Sequence, residues 1–122
     1  MTITLATLPQ ATAQEVFDQV ATHLLKQNKQ SVYLRGDSSI CGYRGTGNTK
    51  CAAGCLISDA EYSVKFEGVN WPRLIQKGFA PKEHSSLIHA LQNVHDASPV
   101  EDWEEMLQDV AKTHNLIFKE PT

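Results

Sequence analysis

Apolar residues recur three and four positions apart from Ala13 to Leu25. Ala13, Val16, Phe17, Val20, Ala21, Leu24 and Leu25 fall on one side, and Gln14, Asp18, Gln19, Thr22 and Lys26 on the other. That is the period of a helix with one buried face. Thr12-Ala13-Gln14-Glu15 is a capping box in front of it: the Thr12 hydroxyl can accept from the amide of residue 15, and Glu15 can reach back to the amide of residue 12. The helix is expected to end near Gln27–Lys29. Two further helices close the chain. One starts at Pro81, a favoured first-turn position, with Leu87, Ile88, Leu91 and Val94 as its stripe. The next has Ser98 as cap, Pro99 in the first turn and Glu101 completing a box, with Val100, Trp103, Leu107, Val110 and Ala111 as its stripe. The short link Asp96-Ala97-Ser98 implies a helical hairpin.

Between residues 31 and 80 the helical period is lost. Ser31–Leu34 is strand-like, Asp37–Ser39 a turn and Ile40–Arg44 a second strand, so a small hairpin or meander is expected. Gly45–Asn48 is a glycine-rich loop. Lys50–Ile57 is apolar and made of small residues, which predicts a short buried helix. Gly54 costs about 1 kcal/mol against Ala there, so close packing should explain it. Ser58–Glu61 repeats the capping-box pattern and predicts another helical turn. Residues 63–80 read as irregular, punctuated by Gly68, Pro72 and Gly78 and anchored by Trp71 and Phe79. Leu116–Phe118 is expected to add a terminal strand to the small sheet. The fold class is therefore α+β, mainly α, as one domain over residues 1–122. Its parts are an amphipathic N-terminal helix, a hairpin or meander, a short buried helix and a C-terminal helical hairpin.

Composition narrows the partners. With 122 residues and 41% apolar content, the chain can bury a core without staples and is not of disordered type. The net charge is -3. Much of the acid sits in the last helix, at Glu101, Asp102, Glu104, Glu105 and Asp109, where phosphate would be repelled. Nucleic acid is therefore an unfavoured partner. Three cysteines are an odd and sparse set, which points to free thiols and a reducing compartment. Met1–Gln10 has no basic-then-apolar leader pattern, and no apolar run reaches membrane length. A cytoplasmic protein without membrane contact is expected.

The cysteines are the first candidates for chemistry. Cys51 and Cys55 lie four apart and would share a helix face; with Cys41 and a histidine they could form a small Cys₃His zinc site. The favoured reading is that these are small core residues, since free cysteine is among the most buried types. A second reading makes Cys51 a nucleophile, its pKa lowered by helix amides and by Lys50. His89 or His95 would then be its base, with Asp96 or Gln92 as orienter. Gly45–Lys50 lacks the order of a phosphate loop, although its amides could hold an anion between Arg44 and Lys50; a plain turn is favoured. Trp71 and Trp103 read as core anchors.

The block Cys41-Gly42-Tyr43-Arg44, then Lys50-Cys51-Ala52-Ala53-Gly54-Cys55-Leu56-Ile57-Ser58-Asp59-Ala60-Glu61-Tyr62, then Glu67-Gly68 resembles a family of small uncharacterised proteins of phages and other bacterial mobile elements. The late Leu91-Gln92-Asn93-Val94-His95-Asp96 is part of the likeness, and the match covers most of the chain. Ser58 stands where those proteins usually carry Pro. The resemblance implies an origin and no assigned activity. Together these readings favour a non-enzymatic binding protein acting on a host protein or a small ligand, for example against host defence. Tyr43, Arg44, Lys50 and His95 are its candidate ligand residues; no cofactor is expected, and a homodimer is conceivable. The alternatives are a cysteine-dependent enzyme using Cys51 with His95, or a small zinc-stabilised module.

Overall fold

The computed structural model describes residues 2–119. The long N-terminal helix, α1, spans Ala13–Gln27 and begins in the capping box expected of it, with Glu15 N donating to Thr12 Oγ1 and Thr12 N to Glu15 Oε1. Asn28 ends it in a left-handed conformation. A two-stranded antiparallel hairpin follows: β1 is Val32–Arg35 and β2 is Ser38–Cys41. Arg35 pairs with Ser38, so Gly36 and Asp37 alone make the turn. Gly36 has φ +65°, which glycine adopts without penalty.

Helix α2, Trp71–Gln76, lies in the stretch expected to be irregular, capped by Asn70, whose side chain accepts from Arg73 N. Helix α3 spans Ser85–Ala97 and α4 spans Trp103–Thr113. They form the expected hairpin, but both begin late. His84 has φ +63°, which delays α3 from Pro81 to Ser85, and its Nε2 meets the Ala11 carbonyl at 2.7 Å. Ser98 makes no side-chain cap: its carbonyl accepts from Trp103 Nε1, and a 3-10 turn at Val100–Asp102 precedes α4.

The core gathers the apolar faces of α1, α3 and α4 with Trp71 and Leu74 of α2. The small-residue segment inserts among them as a 3-10 turn, Ala53–Leu56, rather than an α-helix. Gly54 has its packing reason: a Cβ there would collide with the Tyr43 backbone carbonyl. The Ser58–Glu61 box forms both reciprocal hydrogen bonds yet closes only a turn, and the Glu61 carboxylate also accepts from the amides of Leu5 and Ala6. Leu116–Phe118 is not a strand. Gln14 exchanges two hydrogen bonds with Ile117, and Phe118 packs edge-on against Phe17, so this segment lies along α1 instead. The result is a small α+β fold, mainly helical. No helix among the described residues is long and apolar enough to cross a membrane.

Candidate functional site

Helix α3 carries two faces. Leu87, Ile88, Leu91 and Val94 point into the core. His89, Gln92, Asn93 and Asp96 follow the same three-and-four spacing one step round and form a polar stripe along one wall of a recess. The segment Glu67–Trp71 forms the opposing wall, and Cys41, Tyr43 and Cys51 complete the lining. The recess has a volume of about 270 Å³, slightly below the range of about 300–1,000 Å³ common for drug-sized ligands. Among the described residues, no lysine or arginine lines it.

Three groups of the lining, Gln92, Asp96 and Glu67, are held in place by hydrogen bonds. Gln92 accepts from Ala53 N at 2.8 Å and donates to Asp96 Oδ1 at 2.9 Å. Asp96 Oδ1 also receives His95 Nδ1 at 2.6 Å. Burial alone would raise the Asp96 pKa, but the bonds from His95 and Gln92 outweigh it and hold the carboxyl below its usual range. Asp96 is therefore an anion at neutral pH, and its side chain is 40% exposed. Glu67 is more fully engaged: its carboxylate accepts from Tyr43 N, Arg44 N and the Tyr62 hydroxyl.

Trp71 differs from its neighbours. It is only 2% exposed and lines the recess, yet its Nε1–H has no acceptor among the described residues. Trp103, the other tryptophan, donates to the Ser98 carbonyl at 3.1 Å. A buried donor left unpaired costs about 1–3 kcal/mol, and Trp71 Nε1 is the buried side-chain polar atom among the described residues that lacks a partner.

The sequence-derived residues are dispersed. Cys51 is 1% exposed, and burial pushes its thiol far above the ordinary range. Its sulfur accepts from Gly54 N at 3.3 Å. His95 is fully buried, and both ring nitrogens are engaged elsewhere: Ser31 N donates to Nε2 at 2.8 Å, and Nδ1 meets Asp96. Cys51 and His95 thus do not form the nucleophile–base pair considered from the sequence. Nor do the three cysteines converge as a metal set. Cys55 Sγ donates to the Ala52 carbonyl, while Cys41 lies with His95 and Asp96, their ligand atoms within 4.8 Å of one another. That second trio fits a metal poorly. Because Nε2 accepts from Ser31, the neutral ring carries its proton on Nδ1, the nitrogen facing Asp96, and has no free lone pair to offer.

Of the four candidate ligand residues, Tyr43 alone lines the recess, its hydroxyl donating to the Val69 carbonyl at 2.5 Å. Arg44 is a clamp. Its guanidinium donates to the carbonyls of Tyr43, Gly54 and Ile57 and to Asp59, and lies 4.7 Å over the Tyr62 ring. Lys50 Nζ is 3.8 Å from Asp59, and its backbone carbonyl accepts from His23 and Gln27. In the glycine loop between them, Gly45 N donates to Thr49 O and Thr46 N to Val32 O of β1, so these two amides are not free for an anion. Sequence reasoning missed Trp71 as a site residue and the polar stripe of α3. The stripe had a signal, since positions 89, 92, 93 and 96 share a helical face.

The chain matches no family model, and neither the curated proteins nor the solved structures hold a significant match to it.

Proposed function

We propose that this is a non-enzymatic binding protein that holds a small polar molecule in the recess between α3 and the Glu67–Trp71 segment. The observation that carries this reading is that Trp71, whose buried Nε1–H has no acceptor among the described residues, is one of the residues lining that recess. A ligand acceptor placed there would relieve the desolvation cost of the donor. In the polar stripe opposite, Gln92 and Asp96 are already fixed by their own hydrogen bonds, so little ordering of these two groups is needed on binding. The resemblance of the central block to phage and mobile-element proteins suggests the setting: a stoichiometric binder of a host-derived molecule.

A fragment screen by thermal shift tests the proposal on three proteins: wild type, Trp71→Phe and Trp103→Phe. Fragments that stabilise the wild type and Trp103→Phe, but not Trp71→Phe, support it. At 100 times its Kd such a fragment adds about 2.7 kcal/mol. A screen with no stabilising fragment, or with hits that act equally on Trp71→Phe, would overturn it.

A further inference from the structure

The charges around the recess are one-sided. Two carboxylates, Asp96 and Glu67, line it, and among the described residues no lysine or arginine does. The nearest candidate counter-ion by sequence, Arg44, turns its guanidinium away to the carbonyls of Gly54 and Ile57 and to Asp59. His95 is neutral in the hydrogen-bonding arrangement observed, because Nε2 accepts from Ser31 N. Asp96 therefore carries a charge that its neighbours solvate through Oδ1 without cancelling it. The Asp96 side chain is exposed enough to meet a ligand.

Two aromatic residues, Trp71 and Tyr43, share the lining with these carboxylates. Aromatic faces attract cations through the ring quadrupole, more strongly where water is excluded. A phosphate or carboxylate ligand would instead meet two like charges with no lysine or arginine to compensate, which disfavours it strongly. The unpaired Trp71 N–H adds one further requirement, a hydrogen-bond acceptor on the same molecule.

Resting on the binding function proposed above, we infer that the recess selects a small organic cation, with an ammonium, amidinium or guanidinium group directed at Asp96 and an acceptor directed at Trp71. Glu67 contributes field rather than a direct contact, since its oxygens already accept from Tyr43 N, Arg44 N and the Tyr62 hydroxyl.

A matched series decides it. Para-hydroxybenzamidine, para-hydroxybenzamide and para-hydroxybenzoate share a ring and an acceptor and differ in charge. Titrated at neutral pH with the full chain, the amidine should bind at least about tenfold more tightly than the amide, and the benzoate should not bind. Asp96→Asn should erase the preference for the amidine over the amide. Added salt should weaken the amidine alone. Should Asp96→Asn fail to fold, the wild-type series and its salt dependence decide alone. Equal or tighter binding of the amide or the benzoate would overturn the cation inference while leaving the recess a binding site. Binding of none of the three, with other fragments still protected by Trp71, would overturn it too. A silent fragment screen would remove both readings together.

Discussion

His95 illustrates how a residue that looks chemical in the sequence becomes structural in the fold. It is fully buried, its ring packs on Trp103 at a centroid distance of 5.6 Å, and both nitrogens and its carbonyl are bonded, to Ser31, Asp96 and Gln30. His95→Ala should cost about 3 kcal/mol, the sum of a cavity and an unpaired Ser31 amide, measured by urea unfolding. A loss below about 1 kcal/mol would show that this network carries little stability. The thiols make a second residue-scale prediction. Burial, and then the Asp96 charge, push Cys41 up to about 11, and burial raises Cys51 further. A thiol-specific reagent at neutral pH should label Cys41 slowly and Cys51 only on unfolding. Rapid labelling of Cys51 would restore the nucleophile reading. The sequence showed that the cysteines favour burial; it could not show where the histidine's two nitrogens go, because Ser31 lies sixty-four residues away in the chain.

At the scale of elements, local signals were legible where their partners are local. The α1 box forms because both members lie within one turn, and Thr12→Ala should cost about 1 kcal/mol in chemical denaturation; no loss would mean the helix is held by packing alone. The Ser58 box has the same four-residue pattern but leads into no helix, and its Glu61 also ties down Leu5 and Ala6 from fifty-five or more residues away. The start of α3 was misplaced for a similar reason: His84 bonds to Ala11, across the fold. Leu116–Phe118 has strand-like composition, yet Gln14 takes both polar backbone groups of Ile117 and holds the segment along α1. Gly54 was legible as an exception needing a reason, and the reason is the Tyr43 carbonyl. Gly54→Ala should destabilise by about 3 kcal/mol through overpacking, against the gain expected of this substitution in an open helix; a stabilised variant would mean the segment is free to move. The recess was the least legible part, since its two walls belong to α3 and to a loop ahead of α2 that only the tertiary fold brings opposite each other.

The whole molecule responds to acid through groups spread across it. Burial, against a weaker pull from the Lys50 carbonyl, lowers the pKa of His23 in the folded state. The unfolded chain then takes up the proton first, so stability present above about pH 6.5 falls as pH drops below it. Glu61 follows in a lower window. Burial would raise its pKa, but amide bonds from Ser58, Leu5 and Ala6 prevail and lower it. Its contribution is present above the unfolded value of about 4.3 and is lost as pH falls through the folded one. Unfolding free energy should therefore decline in two stages, and His23→Gln should flatten only the upper one. A wild-type profile flat between neutrality and pH 5 would contradict this.

All of these groups hold together a frame whose central claim is that Trp71 presents an unpaired donor to a ligand. The most direct measurement is the indole N–H resonance of Trp71, assigned against Trp71→Phe, during titration with a fragment that stabilises the protein. A downfield shift is expected at Trp71, as its proton gains an acceptor, with the Trp103 resonance unmoved. A Trp71 resonance that stays in place while the ligand saturates would contradict it.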